Sequence, residues 1–150
     1  MIEARATATL PVPAEEVFAA ATDLENADWL PAVRGLRRVD GGPPGVGARY
    51  AVEVGVLGRH LSGVLVCREM DPPRQARYVL EEGIDLAITI AVTRTSGGCT
   101  LDLAASYSVG AGPLSGAMER ASAGPARREV ARAVEQFAAR FGRKAGQAAR

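Results

Sequence analysis

Residues 84–109, IDLAITIAVTRTSGGCTLDLAASYSV, alternate apolar and polar side chains on both sides of a tight glycine turn. Ile84, Leu86, Ile88, Ile90 and Val92 fall on one face of the first run, and Leu101, Leu103, Ala105, Tyr107 and Val109 on one face of the second. A period of two places each set on one side of a pleated strand. Asp85, Thr89, Thr93, Asp102, Ser106 and Ser108 take the other side. The Ser96-Gly97-Gly98 link is too short for a crossover, so the two strands are antiparallel neighbours with one dry and one wet face.

Upstream the same grammar repeats. Segments 49–57, 59–71 and 75–82 have strand composition, divided by Gly58, by Asp71-Pro72-Pro73 and by Gly83. Residues 33–39 read as a further short strand, which the Gly-Pro cluster 41–47 ends. At the beginning, Ile2, Ala4, Ala6, Ala8 and Leu10 alternate with Glu3, Arg5, Thr7 and Thr9 as a first strand. Pro13 then suits a first helical position, with Glu15 and Glu16 favourable to the helix dipole and Val17, Phe18 and Ala21 as the apolar stripe. Asp23 is placed to cap a second brief helix through Trp29 and Leu30, which Pro31 stops.

Downstream, Leu114, Met118 and Ala121, then Val130, Val134, Phe137 and Phe141, follow helical spacing and predict one long amphipathic helix. Gly124-Pro125 lies inside it and predicts a kink or a brief interruption. A sheet with one apolar face must cover that face, and only the C-terminal helix is long enough. The expected fold is therefore α+β: a helix-grip fold, in which a curved antiparallel seven-stranded sheet wraps a long C-terminal helix, with two short helices after strand one. Small residues on the facing surfaces (Ala105, Ala117, Ala121) leave room for an apolar pocket.

The bulk numbers agree with one domain, expected over residues 1–144 with a frayed tail at 145–150. The chain has 150 residues, 47% hydrophobic and 23% charged, enough for one full core. A net charge of +1 gives no overall field to attract nucleic acid, although Arg127, Arg128, Arg132, Arg140, Arg143, Lys144 and Arg150 crowd the last segment. The longest apolar run, Leu86 to Val92, is far below the ~20 residues of a membrane span. Cys67 and Cys99 lack CxxC spacing and no leader pattern follows Met1, so reduced thiols and a cytoplasmic protein are expected.

Signatures of chemistry are sparse. His60 is the only histidine and sits beside a turn, where a solvated surface role is the expectation. With two scattered cysteines and no carboxylate at helical spacing from His60, no metal site and no cofactor are expected. The 41–47 cluster lacks the phosphate-loop patterns, and Ser62, Ser106 and Ser122 lack a GxSxG setting. Arg49, Glu53, Arg68, Arg77, Glu81, Glu82 and Arg94 fall on the outer phase, where cross-strand pairing is expected. Strand 59–71 is ambiguous in phase, and a shifted register turns Arg68 or Glu69 inward. Tyr50, Tyr78 and Tyr107 lie on the apolar phase, each as a satisfied core hydroxyl or as a polar anchor for a ligand.

Three stretches resemble the START-like superfamily, which includes Bet v 1-like proteins and the polyketide cyclase/dehydrase group. They are PVPAEEVFAAATDLENADWLPAV (11–33), ITIAVTRTSGGCTLDLAASYSV (88–109) and GPLSGAMER (112–120). The resemblance implies a hollow between sheet and helix that holds hydrophobic molecules, with the Trp29 stretch near its mouth. It carries no catalytic residue over to this chain. On that basis the pocket is expected to be lined by Trp29, by Tyr50, Val52 and Val54, by Tyr78 and Leu80, by Leu86, Ile88 and Ile90, by Leu103 and Tyr107, and by Met118.

Three functions compete: binding of a small hydrophobic ligand such as a lipid or aromatic polyketide; a polyketide cyclase- or dehydratase-like reaction in the same hollow; and a protein-interaction module of the chaperone-stimulating or ribosome-associated kind, using the Arg-rich helix end. Oligomeric state is not legible.

Overall fold

The 84–109 hairpin forms as two long strands, β6 (Asp85–Thr95) and β7 (Gly98–Ser108), with Leu86 opposite Tyr107, Ile88 opposite Ala105 and Ile90 opposite Leu103. This computed structural model describes residues 2–30, 33–39, 45–56, 59–81, 85–108 and 115–148. Within these it does not describe the side chains at 56, 59, 61, 115, 116, 118, 119, 122 and 142–148. The remaining strands are β1 (Ile2–Leu10), β2 (Val33–Arg38), β3 (Arg49–Val56), β4 (Arg59–Asp71) and β5 (Gln75–Leu80).

All seven belong to one antiparallel sheet in the order β1-β7-β6-β5-β4-β3-β2. From β2 onward each strand pairs with the next as a meander, and β1 closes on β7. The chain therefore leaves β1 at one edge and crosses to β2 at the other through α1 (Ala14–Thr22) and a 3₁₀ turn (Leu24–Asn26). The curled sheet grips α2 (Ser115–Ala148), which packs chiefly on β1.

At the corner between β1 and β7 the chains nearly touch. A Cβ at Gly98 would overlap the Leu10 carbonyl oxygen and lie 2.8 Å from the Val12 nitrogen, so glycine is the residue that fits. The apolar stripe of α1, with Val17, Phe18 and Ala21 buried, lies on β6 and β7. Trp29 meets Phe137 edge-on, ring centroids 5.0 Å apart, and Phe137 meets Phe141 at 4.9 Å.

Several local expectations change. Pro13 stands at the N-cap, one residue before the helix. Asp23 caps no backbone amide; its carboxylate accepts from the Asn26 side-chain nitrogen at 2.9 Å, a local competitor for the same oxygen. The second short helix is thus a single 3₁₀ turn that stops before Trp29. The helix at the C-terminus is unbroken across Pro125 and continues to Ala148.

Ala117 and Ala121 are exposed, so neither leaves room in the pocket as the sequence suggests. Ala121 and Val130 are nine residues apart, about two and a half helical turns, so they point to opposite sides. In β4 the ambiguity resolves with Leu65 and Cys67 inside, opposite Leu80 and Tyr78. A bulge at Arg68 then keeps Arg68 and Glu69 exposed. Glu81 pairs on the outer face with Arg49 at 2.8 Å and Arg68 at 3.1 Å. Arg94 instead reaches across to Glu15 of α1.

Candidate functional site

Sheet curvature and helix placement leave a cavity of about 540 Å³. Its size falls in the range of small-molecule pockets, roughly 300–1,000 Å³. The sheet supplies Val52 and Val54 from β3, Leu65 from β4, Tyr78 and Leu80 from β5, Leu86, Ile88 and Ile90 from β6, and Leu103 and Tyr107 from β7. Gly63 opposite Val52 and Ala105 opposite Ile88 keep the floor low between these larger residues. Leu24, Trp29 and Leu30 form one end, and α2 covers the hollow with residues from Pro125 to Ala133.

The helix explains why the space stays open. Its bulky residues, Phe137 and Phe141, fill the core beyond Trp29, whereas Pro125, Ala126 and Ala133 face the hollow. The same side of α2 brings Arg128, Glu129 and Arg132 to the wall, and Arg132 holds Glu129 Oε1 at 3.3 Å.

Ten of the twelve expected lining residues border this space. Tyr50 does not: it is buried beside Tyr78, ring centroids 6.4 Å apart, with the Arg38 guanidinium 5.4 Å over its ring. The Met118 side chain lies outside the described residues. His60 is away from the cavity, 61% exposed and 3.7 Å from the Glu53 carboxylate.

Polar chemistry in the wall is limited. Burial pushes the Tyr78 phenol well above the ordinary tyrosine range, with Cys67 and Tyr50 adding to the shift, so it stays protonated. Burial also raises both thiols, and at Cys99 the nearby Glu15 charge adds; neither is poised as a thiolate nucleophile. Among the described residues no three His, Cys, Asp or Glu side chains gather as metal ligands. Trp29 Nε1, the Tyr78 hydroxyl and Glu129 Oε2 are buried without a hydrogen-bond partner among the described residues. All three residues border the cavity.

Residues 1–145 match the family model described as polyketide cyclase / dehydrase and lipid transport. The chain belongs to this polyketide cyclase/dehydrase family. Solved structures share its fold. A Thermus thermophilus protein is 21% identical with a TM-score of 0.79, covering 93% of this chain and 96% of that one. The ZhuI aromatase/cyclase of a Streptomyces species is 16% identical with a TM-score of 0.79, covering 95% and 94%. A START superfamily protein of Mycobacterium smegmatis is 16% identical with a TM-score of 0.74, covering 93% and 98%. No curated protein matches by sequence.

For this polyketide cyclase/dehydrase family member, the sequence places the helix over the hollow but the expected lining omits the residues from Pro125 to Ala133 that form the helical wall. Met118 is the only helical residue of the expected lining, whereas the structure brings Arg128, Glu129 and Arg132 to the wall. The signal was present in spacing: Ala126, Val130, Ala133 and Phe137 follow one another at four, three and four, which extends the stripe back one turn with Glu129 at its border.

Proposed function

We propose that this chain binds a small, largely apolar molecule between the curled sheet and α2. The observation that carries this reading is the cavity itself, about 540 Å³ and walled mainly by Val, Leu and Ile side chains from strands β2 to β7, the 3₁₀ turn and α2. Ten expected wall residues, Trp29, Val52, Val54, Tyr78, Leu80, Leu86, Ile88, Ile90, Leu103 and Tyr107, would make the contacts. Residues 1–144 act as one binding domain on this reading. Two free, buried cysteines favour a cytoplasmic setting.

Native mass spectrometry of the purified protein, with a thermal-shift panel of fatty acids, sterols and aromatic ketones, tests the proposal. Ligand at about a hundred times Kd adds about 2.7 kcal/mol to stability, which raises Tm by several degrees. No copurified mass and no stabilising compound would sink it.

A catalytic reading is second, favoured by the family's cyclase and dehydrase members and by the likeness to an aromatase/cyclase. Tyr78 would polarise a substrate carbonyl as a fixed proton donor, in a site that holds a flexible chain in a reactive fold. Tyr78→Phe should then lower turnover about a hundredfold, the low end of a proton-donor contribution; an unchanged rate removes that role.

A further inference from the structure

Buried polar groups are almost always paired, because an unmade hydrogen bond inside a protein forfeits the solvation the group had in water. The three exceptions among the described residues are Trp29 Nε1, the Tyr78 hydroxyl and Glu129 Oε2, and every one belongs to a residue on the wall of the same cavity. Trp29 is 3% exposed and Tyr78 1%, whereas the Glu129 side chain is 41% exposed and only its Oε2 atom is covered. They come from three separate elements: the loop before β2, the middle of β5 and the cavity side of α2.

Their chemistry is complementary. The indole N–H can only donate. The Tyr78 phenol is held protonated by burial and keeps its donor. Glu129 has one oxygen occupied by Arg132 at 3.3 Å, which leaves Oε2 as an acceptor. We infer that these three side chains are the polar anchors of the ligand: Trp29 and Tyr78 donate to a carbonyl-type oxygen, and Glu129 accepts from a hydroxyl. This deepens the binding function proposed above and rests on it. The ligand class is then an apolar skeleton that carries both a keto or ester oxygen and a hydroxyl, rather than a plain hydrocarbon. Each of the three atoms has almost no accessible surface of its own, so a ligand must shift the groups around it to make the contact.

Four probes on one ring skeleton test the assignment by calorimetric titration: naphthalene, 2-naphthol, 2-acetylnaphthalene and 6-acetyl-2-naphthol. The expected result is that 6-acetyl-2-naphthol binds at least about tenfold tighter than naphthalene, one good hydrogen bond being worth that much in a dry site. Tyr78→Phe and Trp29→Phe should each erase the advantage of 2-acetylnaphthalene over naphthalene, and Glu129→Gln should weaken 2-naphthol while leaving 2-acetylnaphthalene unchanged. Tyr78→Phe has a second signature. Removing an unpaired buried hydroxyl raises the Tm of the ligand-free protein, while the same change lowers affinity for the ketone. A merely structural tyrosine does not move the two in opposite directions. Equal binding of all four probes would overturn the anchor assignment and leave apolar binding standing. Binding of none would overturn both, and a drop in every affinity alike in Tyr78→Phe would reduce Tyr78 to packing.

Discussion

Tyr78 carries the largest electrostatic consequence of any single side chain in the cavity wall. Its phenol titrates well above the ordinary value near 10 because burial disfavours the phenolate. The unfolded chain therefore loses this proton first as pH rises, and the native state binds more protons than the unfolded one above about pH 10. Stability is unaffected below that point and falls above it, at up to about 1.4 kcal/mol per pH unit. Urea titrations between neutral pH and 11 should show this alkaline loss in the parent and a flatter limb in Tyr78→Phe. Phe137 is fully buried between Trp29 and Phe141. Phe137→Ala should cost about 3–5 kcal/mol by denaturant unfolding. Strand alternation made Ile88, Ile90 and Leu103 legible as wall residues, because a period of two fixes a face. It could not separate Tyr50 from Tyr78. Both share the inward phase, and only sheet curvature decides that Tyr50 packs behind its neighbour while Tyr78 borders the space.

Elements were legible in proportion to the strength of their periodicity. The β6–β7 hairpin and β1 fall where their alternation placed them, whereas β4, whose pattern leaves its phase open, takes its inner face from Leu65 and Cys67 opposite Leu80 and Tyr78. The region after α1 does not, since Asp23 bonds the Asn26 side chain and the chain makes one 3₁₀ turn in place of a capped helix. In α2 no single stripe runs through Pro125, because Ala121 and Val130 differ in phase by half a turn. Gly98 sets the corner where β1 leaves the sheet. Gly98→Ala should destabilise by about 1–3 kcal/mol, the cost of strain where no side chain fits, and a wild-type Tm in that variant would contradict the close approach seen there. The Arg94–Glu15 pair ties α1 to β6, and its hydrogen bond holds the Glu15 carboxyl below its usual range. A lowered carboxyl pKa contributes stability that is present above pH 4.5 and lost as pH falls through the folded value. Both partners are exposed, so Arg94→Ala should change the acid unfolding midpoint only slightly.

For the whole molecule, the division of α2 into a bulky half and a small half is what leaves a cavity between the sheet and the helix. Phe137 and Phe141 provide the core, and Pro125, Ala126 and Ala133 leave the volume beside them open. The architecture was legible because a one-sided sheet requires a cover. The volume was not, because it depends on how far the sheet curls. If that volume is the binding site, filling it should abolish binding without unfolding the protein. Ala105, on the cavity floor opposite Ile88, is the position to fill. The direct measurement is binding of an environment-sensitive apolar dye, anilinonaphthalene sulfonate, to the native protein and to Ala105→Trp, with thermal unfolding recorded on both. The account predicts saturable binding to the parent, loss of at least about tenfold in affinity in Ala105→Trp, and a Tm equal to or above that of the parent. Undiminished dye binding by a folded Ala105→Trp would contradict it.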